Sequence, residues 1–237
     1  MRISHVWIKK VDTKEGVRRI PISLVSMTGA VLGAEFESAL ERDLLLRAVF
    51  DGDVNWFQSQ PITIHYKDVQ GNARRYTPDL FIHFGTEEKP TRSPQLCEVK
   101  YRKDLIADRH QLLPKFRAAR AYCRERGWEF KIFDEHRIRT PRLANIQFLW
   151  RYKHSTDCGA YYDEIMEEML EMRGPIPMLP LLERMYPTSR LRGEAIWAWW
   201  TMVVQGAIQC DLEKPITKST LFWVEEWRKT KFRLRTC

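Results

Sequence analysis

Three residues in the stretch from Tyr76 to Lys103, "YTPDLFIHFGTEEKPTRSPQLCEVKYRK", have types suited to cutting a phosphodiester. Asp79 follows a proline at the head of an apolar run, and Glu98 and Lys100 stand two positions apart in another. Residues i and i+2 of a strand share a face, so Leu96, Glu98 and Lys100 point one way and Cys97, Val99 and Tyr101 the other. In the earlier run Asp79 shares its face with Phe81 and His83. If the two strands pair with Asp79 near Glu98, two carboxylates and an ammonium converge. Carboxylates that close repel, and a proton or a divalent cation relieves the repulsion. Hard oxygen donors suit magnesium or manganese. Such an ion acidifies water and neutralises charge on a phosphate, while Lys100 would orient the attacking water. The competing reading is an exposed Glu98–Lys100 ion pair, worth about 0–1 kcal/mol.

A third carboxylate is expected from the helix ahead of the strands. Glu41 is the candidate, because its neighbours Leu40, Leu44, Leu45 and Ala48 form an apolar band. Ser38-Ala39-Leu40-Glu41 also fits the S-x-x-E capping box, in which Glu41 only bonds the helix start. Glu35 and Glu37 compete for the same role, and spacing alone leaves capping and catalysis both open.

Several elements must position these groups. "EFESALERDLLLRAVF" reads as a helix, with Phe36, Leu40 and Leu44 on one side. "DGDVNWFQSQ" reads as a turn, and "PITIHYKD", "RRYTPDLFIHF" and "QLCEVKYR" as three strands of an antiparallel meander. "DLIADRHQLLPKFRAARAYCRERG" is an amphipathic helix, with Pro114 kinking or starting it. "WEFKIFDE" adds a strand. Residues 1–30 read as an arm or edge strand. Beyond residue 150 come short helices, the apolar "RGEAIWAWWTMVVQG" and two strands around Lys214-Pro215. Three helices and a β-hairpin is the order of a winged helix-turn-helix. Trp197, Trp199, Trp200 and Met202 read as core at helical spacing. His83 reads as a packed strand residue.

Composition sets the class. With 237 residues, 44% hydrophobic and 12% aromatic, the chain is globular and long enough for two domains. No apolar run reaches membrane-spanning length. The N-terminus lacks a signal-peptide core, which points to the cytoplasm. Five cysteines without a C-x-x-C read as reduced thiols. The net charge of +8 fits an anionic partner and a solubilising surface equally well. Residues 101–126 carry eight Lys/Arg, among them the candidate DNA contacts Arg102, Lys103, Arg109, Lys115 and Arg117. Arg190, Arg192 and the acid-free tail 227–237 are further basic sites.

At "SALERDLLL", "DGDVNWFQSQPITIHY", "RRYTPDLFI" and "LCEVKYRKDL" the chain resembles TnsA, the restriction-endonuclease-like subunit of heteromeric transposases, including CRISPR-associated ones. The resemblance covers about residues 25–225, is strongest over 36–150, and continues through "FKIFDEHRIRTPRLANIQFLWRY". It implies an α/β fold: a restriction-endonuclease-like PD-(D/E)xK core over 1–150 and a winged-helix-type α+β domain over 151–237. It also implies cleavage of the 5′ strands at transposon ends beside a DDE transposase (TnsB-like), with an AAA+ regulator (TnsC-like) and double-stranded DNA as partners. By position, Glu41, Asp79, Glu98 and the Val99 carbonyl would hold two magnesium ions, for which manganese substitutes, and Lys100 would place the water. Some relatives have Gln at the position of Glu98. Gln60, in the Gln60-Pro61 pair, marks the family without a derived role. A stand-alone restriction or repair nuclease and a non-catalytic DNA-binding adaptor are the rival expectations.

Overall fold

The computed structural model describes residues 29–31, 34–86, 88–153, 155, 159–172 and 174–225. The expected N-terminal arm lies outside them apart from its last two residues, and so do His154, Cys158 and the basic tail 227–237. The chain divides into two compact units between Leu143 and Ala144, ahead of the boundary expected after residue 150.

The first unit opens with β1 (Gly29–Val31) and β2 (Ala34–Phe36), paired antiparallel. Helix α1 (Ala39–Phe50) starts only at Ala39, because Ser38 is extended and its hydroxyl accepts the Glu41 N–H at 3.2 Å. The expected helix from Glu35 is thus shortened by its own capping box. A buried charge cluster anchors α1: Asp43 accepts from Arg42 at 2.8 Å and from Arg139 at 2.9 Å.

The segment expected as a turn forms β3 (Val54–Ser59). Val54 and Phe57 are both buried because the register shifts between Val54 and Trp56, and that bulge erases the alternation a strand normally shows. β4 (Ile64–Lys67) and β5 (Ala73–Tyr76) form a separate antiparallel hairpin. The expected strand "RRYTPDLFIHF" breaks at Thr77-Pro78, where proline offers no N–H to a ladder, and resumes as β6 (Leu80–Phe84). β7 (Gln95–Val99) pairs antiparallel with β6. The expected single basic helix is two, α2 (Arg102–Ala107) and α3 (Arg109–Glu125), divided at Asp108, with Pro114 inside α3. They cross over to β8 (Glu129–Phe133), which runs parallel to β7. The result is a mixed sheet in the order β3-β6-β7-β8, in place of the expected meander. Helix α4 (Glu135–Ile138) follows, and the boundary between the units falls within α5 (Pro141–Leu149), most of which belongs to the second unit.

Helix α3 covers one face of this assembly. Its Ala119 and Cys123 meet Phe81, Leu96, Ile64 and Tyr76 in a buried cluster. Leu80, Ile82, Phe84 and Cys97 alternate onto the opposite face and are buried too, so the central strands are covered on both sides. His83 stacks on Trp56 at 5.4 Å, as a packed strand residue.

The second unit contains α6 (Tyr161–Glu171), β9 (Ile176–Pro177), α7 (Met178–Met185), α8 (Ser189–Val204), β10 (Gln209–Cys210) and β11 (Leu221–Trp223). The three strands form an antiparallel sheet in the order β10-β11-β9. β9 adds a strand to the expected order, too short to leave a periodic signal. Trp199, Trp200 and Met202 of α8 are buried as expected, whereas Trp197 is 47% exposed and donates its indole N–H to Ser155 Oγ at 3.2 Å. The buried Asn145 side chain donates to the carbonyls of Leu212 and Lys214 at 2.8 and 2.7 Å and accepts the Ile216 N–H at 3.1 Å, pinning the β10–β11 connection.

Gly85 closes β6 with φ +72, and a Cβ there would lie 2.5 Å from Thr91 N and 2.7 Å from Lys89 O. Both neighbours are backbone and cannot rotate away. Gly85→Ala is expected to lower unfolding stability by about 1–3 kcal/mol, from a forced left-handed alanine plus the clash. Urea denaturation measures it, and a wild-type midpoint would show that the loop yields freely.

Candidate active site

Asp79 sits at the entry to β6 with its backbone held on both sides. Its N–H donates to the Cys97 carbonyl at 3.1 Å, and its carbonyl accepts the Gln60 N–H at 2.9 Å. The β6–β7 register pairs Leu80 with Cys97, so Asp79 falls opposite Glu98, on the face shared with Phe81 and Leu96 and covered by α3. The Asp79 carboxylate reaches along β7, where Oδ2 accepts the Val99 N–H at 2.6 Å.

Glu98 is buried, and both its oxygens are engaged. Oε2 accepts from the Tyr76 hydroxyl at 2.5 Å, and Oε1 accepts from the Lys115 ammonium at 2.9 Å. The ammonium also lies 4.6 Å from the centre of the Tyr76 ring. The cation paired with Glu98 is therefore Lys115 of α3. The ammonium of Lys100 forms no ion pair or hydrogen bond among the described residues, although its backbone N–H donates to the Phe133 carbonyl at 3.0 Å.

Glu41 caps α1. Its Oε1 accepts from the Ser38 hydroxyl at 2.7 Å and its Oε2 from the Glu37 N–H at 2.9 Å. Glu37 in turn accepts from the Gln60 side chain at 3.0 Å. Gln60 has φ 45, in the left-handed region that side chains avoid. It links the α1 cap to the Asp79 backbone, which gives it a structural role.

The electrostatics follow from this packing. Burial first, then the charges of Glu98 and Glu41, push the Asp79 carboxyl up to about 7, while the Val99 N–H and Lys115 pull it back. Burial and the Glu98 charge raise the Tyr76 phenol far above its ordinary range, so it remains a protonated donor. No group of three carboxylate, imidazole or thiol side chains gathers around one point among the described residues. The donor set still fits a hard cation. Two opposed carboxylates with a strained proton balance call for positive charge, and magnesium binds through one or two carboxylates, completing its shell with water and phosphate.

Residues 51–135 match a family model described as TnsA-like endonuclease N terminal. The domain is TnsA-like. Among curated proteins, none matches the chain. The matched span runs from the turn before β3 to the start of α4 and contains Gln60, Tyr76, Asp79, Glu98, Lys100 and Lys115, while Glu41 lies ahead of it. The match supports an endonuclease-type domain over that span.

The expected DNA contacts separate by position on the TnsA-like domain. Arg109 and Arg117 are exposed on α3 and have no partner among the described residues. Arg102 lies 3.6 Å from Asp134, and Lys103 sits over the Tyr101 ring at 6.0 Å. Lys115 instead turns into the site. Sequence reading also passed over Tyr76. Its position three residues ahead of Asp79 was visible, but its reach to Glu98 depends on where the β4–β5 hairpin leaves the chain.

Because the folded protein prefers Asp79 neutral, ionising it costs stability. The cost is absent below the ordinary carboxylate range and fully present above about pH 7. Asn is neutral at every pH and can keep the Val99 N–H bond. Metal-free Asp79→Asn is therefore expected to be more stable than wild type at pH 8, by about 1–3 kcal/mol, with the gap closing towards pH 4. Paired melts across that range measure it; a gap that widened on acidification would mean Asp79 is stabilised as the anion.

Proposed function

We propose that this protein is the metal-dependent nuclease that cuts the 5′ strands at transposon ends, working with a DDE transposase. The observation that carries the reading is the placement of Asp79 opposite Glu98 across β6 and β7, within a TnsA-like domain. Asp79 and Glu98 would hold magnesium, with the Val99 carbonyl as an added oxygen donor. Glu41 would join them on release from its cap, since its charge already reaches Asp79. A bound ion supplies charge neutralisation at the scissile phosphate and lowers the pKa of water.

The chain's own groups do the remaining work. Lys100 follows directly on Glu98-Val99, and its ammonium, unpaired among the described residues, would hold the attacking water by its oxygen and aim it at phosphorus. Val99 N–H and the Gln60 N–H fix both ends of Asp79, so the carboxylate is already oriented before substrate arrives. Arg109 and Arg117 are placed to neutralise backbone phosphates on the exposed side of α3.

The second unit supports a DNA- or partner-docking role. Its element order of helix, strand, helix, helix and two strands, with sheet order β10-β11-β9, is compatible with a winged helix-turn-helix and supports that reading. In that reading the connection fixed by Asn145 is the wing, and it carries Lys214 and Lys218. An AAA+ regulator is the further partner this reading assigns.

Reconstituted with its transposase on an end-containing duplex and magnesium, wild type is expected to nick the 5′ strand. Asp79→Ala and Glu98→Ala should each cut about 10²-fold more slowly or worse, the scale of losing a charge-stabilising group. Chelation should abolish cutting. Undiminished 5′ cleavage by Asp79→Ala would overturn the assignment.

A further inference from the structure

We propose that Lys115 is a resident counter-charge on Glu98, one that a divalent ion must displace in order to bind. Its ammonium donates to Glu98 Oε1 at 2.9 Å while Tyr76 takes Oε2 at 2.5 Å, so neither carboxylate oxygen is left unengaged. The pair is secluded, with side chains 19% and 6% exposed. A charge pair screened so little from its surroundings is strongly coupled to any third charge brought beside it. A cation arriving between Asp79 and Glu98 meets the Lys115 ammonium as a like charge on the same carboxylate.

The contact also has somewhere to go. Lysine carries a compact charge on a flexible four-carbon stem, unlike the fixed fork of arginine, so its ammonium can leave Glu98 without moving α3. A phosphate oxygen of bound DNA is the acceptor that the site's chemistry offers. Lys115 thus keeps the empty carboxylate pair neutralised and becomes available to the substrate when a metal takes its place. It acts through Glu98 and is a positioning residue in that sense. Lys100, by contrast, has no carboxylate partner among the described residues to surrender.

The inference rests on the metal reading of the Asp79–Glu98 pair, and the test separates the two. Manganese is titrated into the full chain without DNA, and the free ion is counted by electron paramagnetic resonance. The proteins are wild type, Lys115→Met, Lys115→Gln, Lys115→Arg and the double variant Asp79→Asn/Glu98→Gln, each with its fold checked by circular dichroism. Lys115→Met and Lys115→Gln are expected to bind manganese about tenfold more tightly than wild type, the scale of a relieved like-charge contact near a protein surface. Lys115→Arg, which keeps the charge, should bind no more tightly than wild type. A merely structural lysine gives the opposite sign, because a misplaced Glu98 weakens binding. Unchanged or weaker binding by both neutral variants overturns the inference and leaves the metal reading standing, provided that wild type binds and the double variant does not. Failure of both neutral variants to fold overturns it too, since Lys115 would then be an obligatory structural partner. No binding by any protein, or equal binding by wild type and the double variant, overturns the metal reading and this inference with it.

Discussion

The architecture of the first unit depends on a repulsion. Antiparallel pairing of β6 with β7 sets Asp79 against Glu98 at strand spacing, on a face that α3 shields from water. Directly opposed like charges destabilise a sheet. Around this pair the fold collects compensating groups: a backbone N–H from Val99, a phenol from Tyr76 and an ammonium from Lys115. Each comes from a different element, so the β4–β5 hairpin, β7 and α3 are all tied to the same two side chains. Sites that hold charge against its preference give up stability for chemistry, and this one has those characteristics.

The parts of this arrangement visible in sequence were those governed by short-range rules. The pairing that would bring Asp79 to Glu98 is present, since the β6–β7 register carried one residue past Leu80–Cys97 sets them opposite, whereas Lys100 lies just beyond the end of β7. Half of the capping box over Ser38–Glu41 forms as its spacing implies, the Ser38 hydroxyl accepting the Glu41 N–H, while the Glu41 carboxylate takes the Ser38 hydroxyl and the Glu37 N–H in place of the Ser38 N–H. What escaped detection needed long-range or irregular geometry. β3 was hidden by a bulge, β9 by having two residues, and the break before β6 by a proline that reads equally well as part of a strand. The identity of the cation on Glu98 was the largest miss. Lys100 is two residues away in sequence and Lys115 seventeen, but the α2–α3 crossover brings α3 back over the sheet, and it is the Lys115 ammonium that bonds Glu98.

The same lesson applies to the aromatic run of α8. Spacing gave Trp199, Trp200 and Met202 to the core, and they are there, but Trp197 remains at the surface. Its position follows from partners rather than period: Tyr152 packs edge-on at 4.7 Å, and Ser155 accepts its indole N–H. Asn145 is a comparable case. Nothing in "PRLANIQFL" marks it, yet one buried amide satisfies three backbone groups of a connection otherwise without regular structure.

The left-handed backbone of Gln60 has a mechanical meaning. Through its side chain it grips Glu37 beside the α1 cap, and through its N–H it grips the carbonyl of Asp79. Left-handed backbone occupies a small well with steep walls for any residue bearing a Cβ, so this joint transmits force rather than absorbing it. A protein pressing on the exposed segment around Glu35 and Glu37 would therefore push on the acid at the head of β6 as though through a rigid lever.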